Sequence, residues 1–148
     1  MSSLEKTLSL SLTVKNTEEA LEFYSKAFDA KERFKIPLPS GGIAHAEFMI
    51  NDTRVFISDE SEDWSAKAIN DGEVAPCLFV LLTDSCDKSF QKALEAGAEK
   101  MLEPADYFFG VRVGVVKDPF GYRWSFREVL EEVSNEEIKK RAKELFGT

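Results

Sequence analysis

Residues Phe108 to Phe126 read FFGVRVGVVKDPFGYRWSF. Val111–Lys117 and Arg123–Arg127 have the alternating character of strands, and a turn joins them. In that turn Pro119 presets φ, Asp118 can bond back to the turn backbone, and Gly121 takes a conformation that other residues resist. A second strand–turn–strand unit lies earlier: Ile43–Ile50 (IAHAEFMI), the pair Asn51-Asp52, then TRVFIS. Asn and Asp both tolerate φ > 0, so the pair suits a tight hairpin. An offset of about 68 residues relates the two units and would set Phe56 on Trp124.

What precedes each unit also repeats. Leu8–Val14 (LSLSLTV) alternates as a strand, and Asn16 offers a helix cap with Glu19 three residues on. Ala20, Leu21, Tyr24, Ala27 and Phe28 then fall on one helical face. In the second half CLFVLLT is a strand, and Asp84 is placed to cap a helix that buries Cys86, Phe90, Ala93 and Leu94 and stops at Gly97. Strands at Glu32–Pro37 and Glu99–Leu102 complete the order βαβββ, twice. The polar stretch between the halves is a connector. Ser134 to Glu137 form a capping box for a final helix, with Ile138, Ala142, Leu145 and Phe146 along one side. The expected layout is a first module at 7–60, a second at 76–128 and a C-terminal helix at 134–146, all in one α+β domain.

Composition narrows the function. At 148 residues and 43% hydrophobic, the chain can bury a core. Twelve Phe point to a core of large flat side chains or to an aromatic pocket. A net charge of −8 argues against a nucleic-acid partner. No apolar run is long enough to span a bilayer, and the first residues lack the pattern of a secretory signal. A cytoplasmic location is the expectation. The two cysteines, Cys77 and Cys86, fit no metal or disulfide spacing. With His45 the one histidine, a site needing two or three imidazoles cannot form within the chain.

The repeated βαβββ order, with LTVKNTEEALEFYSKAF, IAHAEFMINDTRVFISDE and FFGVRVGVVKDPFGYRWSF, resembles the vicinal oxygen chelate (VOC) superfamily. Within it the chain is most similar to the PhnB-like branch of the glyoxalase/bleomycin-resistance/dioxygenase proteins. The resemblance implies two modules making a cup-shaped mixed sheet, and a homodimer. It also implies a small-molecule ligand, with either binding alone or chemistry by a lyase, isomerase, dioxygenase or thiol transferase. The superfamily often holds a divalent metal through the first and last strands of each module. Those positions fall here at Ser9, near Phe56-Ile57-Ser58, at Cys77 or Leu78, and at Ser125. None is His, Glu or Gln, so no metal or other cofactor is expected.

The candidate residues follow. His45 and Glu47 lie two apart on a strand and so share a face. They are candidates for an acid–base pair or a weak metal site, against a plain polar pair. Past the turn, Tyr122, Trp124 and Phe126 share one face and Arg123, Ser125 and Arg127 the other. Trp124 and Phe56 are core if they face the helices and pocket wall if they face the cup. Phe79 and Phe109 are further pocket candidates. Arg112 suits an anionic group or a surface ion pair. The expected function is binding of a small, partly apolar molecule without the inherited metal. The alternative is a metal-dependent glyoxalase-like lyase or dioxygenase.

Overall fold

The Asn16 side chain accepts the Glu19 N–H at 3.1 Å, and this cap starts helix α1 (Thr17–Phe28). The helix follows strand β1 (Leu10–Val14) and leads into β2 (Lys31–Pro37), β3 (Ile43–Ile50) and β4 (Thr53–Asp59). The same order recurs as β5 (Leu78–Leu82), α2 (Cys86–Ala96), β6 (Glu99–Tyr107), β7 (Val111–Lys117) and β8 (Arg123–Val129), with α3 (Asn135–Phe146) after it. This computed structural model describes residues 8–147; Thr7, the expected first residue of the first module, lies outside them. The chain divides after Glu73 into two compact units. The fold is α+β: two βαβββ modules and a C-terminal helix.

Each module closes its own four-stranded sheet, in the orders β1-β4-β3-β2 and β5-β8-β7-β6. The outer pairs β1–β4 and β5–β8 are parallel, and the remaining neighbours are antiparallel. In the first module α1 covers one face of the sheet. Leu12, Val14, Phe48, Val55 and Ile57 are all buried there, with Tyr24 stacked on Phe48 at 5.3 Å between ring centres. In the second, Cys86, Phe90 and Ala93 of α2 are buried. Gly114 faces that helix: a Cβ on it would stand 3.1 Å from the Phe90 ring.

A carboxylate at the end of the last strand ties down each helix. Asp59 accepts the Thr17 N–H at 2.8 Å, and Glu128 accepts the Cys86 N–H at 2.8 Å. Both partners are the first residue of their helix, where backbone N–H groups lack intrahelical acceptors and negative charge is favoured. Asp59 also takes the Ile43 N–H at 3.2 Å. Gly42 permits this approach, because a Cβ at its φ of +88° would lie 2.6 Å from the carboxylate.

These ties put the helix starts and the last strands at an offset of 69, since Thr17 maps to Cys86 and Asp59 to Glu128, while the helix C-caps Asp29 and Gly97 keep 68. Strand pairing agrees: Ser11 opposes Phe56, and Val80 opposes Ser125. Phe56 therefore matches Ser125, and Trp124 matches Val55. A slip of one residue on a strand moves a side chain to the other face of the sheet. Two further boundaries differ from expectation. Ser85, one residue after Asp84, caps α2 by accepting the Lys88 N–H. Strand β6 continues through Pro104 to Tyr107, with register shifts that accommodate the proline.

Gly110 ends the turn after β6 with φ +80°. Its carbonyl accepts the N–H groups of Leu130 and Glu131, so the chain leaving β8 runs directly over it. Arg141 of α3 holds the same corner. It donates to the Phe108 carbonyl at 3.0 Å and to Glu131 at 2.7 Å. Among the described residues no helix is long and apolar enough to cross a membrane.

Candidate functional site

Cross-strand pairing defines what stands on the face of the first sheet away from α1. Glu47 of β3 opposes both Phe34 of β2 and Phe56 of β4, and Phe56 opposes Ser11 of β1. Paired residues point to the same side, so one row runs across all four strands. His45 opposes Ile36 and Met49 opposes Arg54 in the flanking rows. The side chains converge on Phe56. The His45 ring lies 5.3 Å from it, and the Arg54 guanidinium sits 4.9 Å above its centre. His45 Nε2 is 3.7 Å from Glu47 Oε1. The outer edge is apolar and open, with Phe34 and Ile36 about half exposed. This face offers an aromatic surface, a cation, a carboxylate and one imidazole within reach of a single small molecule.

Three of the sequence candidates, His45, Glu47 and Phe56, thus meet on one face. Arg54 belongs with them, and its signal was in the sequence: it stands two residues before Phe56 on the same strand. The other four candidates lie in the second module. Val116 opposes Trp124 and Gly114 opposes Phe126, which puts these residues with Gly114 on the α2 side of the sheet. Trp124 is 3% exposed, packs edge-on to Phe79 at 4.9 Å and donates its indole N–H to Asp118 at 2.9 Å. Arg112, on that side too, is gripped by Asp106 at 2.8 Å and Asp87 at 2.9 Å. Hydrogen bonds to these two carboxylates hold its guanidinium far above the usual range. Phe109 stands in the β6–β7 turn, edge-on to Phe108 at 5.2 Å and stacked on Tyr107 at 5.8 Å.

The opposite face of the second sheet carries Arg123, Ser125 and Arg127 of β8. Beside them in register are Leu78, Val80 and Leu82 of β5, and Lys117, Val115 and Val113 of β7. Ser125 is fully buried and accepts a bond from Arg127 Nε at 3.3 Å. The expected metal positions on the sheets carry a phenyl ring at Phe56, an aliphatic chain at Leu78 and a hydroxyl at Ser125. Among the described residues no three His, Cys, Asp or Glu side chains come close enough to hold a metal ion. Zinc and the transition metals favour imidazole, thiolate or carboxylate donors, and Phe56, Leu78 and Ser125 supply none of these.

The sequence profile of the Glyoxalase/Bleomycin resistance protein/Dioxygenase superfamily matches residues 6–126. The chain belongs to this superfamily. An uncharacterized protein of Mycobacterium bovis is 36% identical to this VOC chain over 139 residues, covering 92% of this chain and 91% of the relative. Two solved structures share the VOC fold at low identity. TioX from Micromonospora sp. ML1 has a TM-score of 0.68 at 18% identity, covering 85% of this chain and all of TioX. A PhnB protein from Bacillus cereus has a TM-score of 0.65 at 18% identity, covering 83% of this chain and 99% of its own.

Proposed function

We propose that this VOC protein is a PhnB-like small-molecule-binding protein that works without the superfamily's metal. Its ligand rests on the first sheet over Phe56, flanked by Arg54 on one side and by His45 and Glu47 on the other. The convergence of those four side chains carries the reading. An aromatic ring already bearing a cation on one side is a stacking platform for a flat, partly apolar molecule. His45 and Glu47 would orient a polar group of that molecule or exchange a proton with it.

The reading includes a homodimer. Leu145 and Phe146 of α3 stay mostly exposed, which leaves apolar surface for a second copy to cover. The competing reading, a metal-dependent lyase or dioxygenase, draws on the closeness of His45 and Glu47, two side chains of metal-binding type. Elemental analysis after dialysis, together with a thermal-shift screen of small molecules, separates the two. The binding reading expects metal well below one equivalent and a ligand whose stabilising effect disappears in Phe56→Ala. Stoichiometric metal that is lost in His45→Ala or Glu47→Ala would establish the competing reading.

A further inference from the structure

Three cations, Lys117, Arg123 and Arg127, stand on the face of the second sheet away from α2, in a chain whose net charge is −8. Glu99 neutralises Lys117 at 3.0 Å. Among the described residues no carboxylate pairs with Arg123 or Arg127. The Nε of Arg123 is moreover buried without a hydrogen-bond partner. Arg123 also lies directly opposite Lys117, an arrangement of like charges that costs stability. A sheet that stabilised itself alone would not keep a buried, unsatisfied Nε on an arginine opposite a lysine.

We infer that Arg123 and Arg127 bind the oxyanion group, a carboxylate or a phosphate, of a small organic molecule. Guanidinium presents a planar fork of donors that matches the oxygens of either group. Two arginines four apart on a strand point to the same side, and Ser125 lies between them. Arg127 leans back along the strand and donates to the buried Ser125 hydroxyl, which draws its guanidinium toward Arg123. Around the polar row stand Leu78, Val80 and Leu82, which are 37%, 50% and 66% exposed. They form an apolar border that suits the carbon skeleton of an organic anion and keeps charge–charge attraction from being fully screened. An anion here would satisfy Arg123 and relieve its opposition to Lys117. The inference deepens the small-molecule reading above, and it rests on that reading for the ligand's size.

The test uses the full chain with three probes that share a phenyl ring: phenylphosphonate, benzoate and neutral benzamide. Thermal shift and calorimetric titration are run at low and high salt. The two anions should stabilise the protein and benzamide should not, with affinity falling as salt rises. Arg123→Gln and Arg127→Gln should each weaken anion binding about tenfold or more, whereas Lys26→Gln, at a surface cation already paired with Glu22, should leave it unchanged. Arg123→Gln should also raise the melting temperature of the protein without ligand, since it removes the like-charge opposition. That readout keeps the outcome clear of any general unfolding. Equal response to benzamide and the anions, or anion binding that survives both arginine substitutions, overturns the inference. If Phe56→Ala alone abolishes binding, the small-molecule reading stands and the arginine site falls. If the arginine variants alone abolish it, the anion site stands and the ligand position over Phe56 falls.

Discussion

The Trp124 indole N–H donates to Asp118 Oδ2 at 2.9 Å, across the turn that joins β7 to β8. The other carboxylate oxygen accepts the N–H groups of Phe120 at 2.9 Å and Tyr122 at 3.0 Å. Asp118 is 1% exposed, and it organises the turn from inside while fixing the ring that packs beneath α2. Asp118→Ala should therefore leave three donors stranded in the interior. At ~1–3 kcal/mol for each unsatisfied buried group, the loss should exceed about 3 kcal/mol. Asp118→Asn, which keeps one acceptor oxygen and the shape, should cost less. Urea unfolding followed by tryptophan fluorescence measures both; equal stability of wild type and Asp118→Ala would refute the role.

Gly110→Ala should destabilise the protein for two reasons that add. The residue holds φ at +80°, and an added Cβ would lie 2.7 Å from the Glu131 carbonyl oxygen. Left-handed backbone at a residue with a side chain costs ~1–2 kcal/mol before any clash. A total above about 2 kcal/mol is expected in chemical denaturation. Gly72→Ala is the control for the clash, because its φ is +81° and nothing lies within 4 Å of a Cβ there.

Phe56→Ala should weaken the ligand found by screening about tenfold or more, since ~1.4 kcal/mol corresponds to a factor of ten and both stacking and buried area are lost. Its far-ultraviolet circular dichroism should stay that of the wild type. Unchanged affinity would move the ligand away from the first sheet.

The two cysteines should separate by reactivity. Cys77 is exposed and Cys86 is buried. Burial, with Asp87 second, pushes the Cys86 thiol up. A thiol reagent should modify one cysteine per folded chain and the second only in denaturant. The folded chain holds the Cys86 proton more tightly than the unfolded chain does. That contribution to stability is complete below the unfolded thiol's pKa of ~8.5 and is lost as pH climbs through the higher folded value. Stability in Cys86→Ser should decline less over that alkaline window than in the wild type.

Removing the residues after Val133 should lower the melting temperature or dissociate an oligomer. Arg141 and the edge-on contact of Phe146 with Phe108, at 5.6 Å, tie α3 to the β6–β7 corner. Scanning calorimetry and sedimentation would detect either effect. No change in both would make the helix an appendage.

The sequence carried the element order because its signals are local. Asn16 and Ser134 cap the helices they were expected to cap, and the Asn51 turn takes its positive φ of 51°. What failed was register. Asp84 and Ser85 are both good caps, and choosing the first shifted the repeat by one residue. One residue on a strand exchanges faces, so Trp124 matches Val55 and not Phe56. His45, Glu47 and Phe56 were legible because alternation within a strand, together with one hairpin turn, places them. The grip of Asp87 and Asp106 on Arg112 was not legible, because it joins a strand to residues six and twenty-five positions away.

The parallel pairing of the outer strands has a consequence in time. Leu10–Val14 bonds to Val55–Asp59, with some forty residues of chain between them. At the ribosome's pace of ~5–20 residues per second, β1 waits roughly two to eight seconds for its partner. Throughout that wait Leu12 and Val14, buried in the finished protein, belong to an unpaired strand, the kind of edge that recruits other chains. Emergence of β4 ends the hazard. The first sheet then closes from residues 10–59 alone, before any strand of the second has emerged.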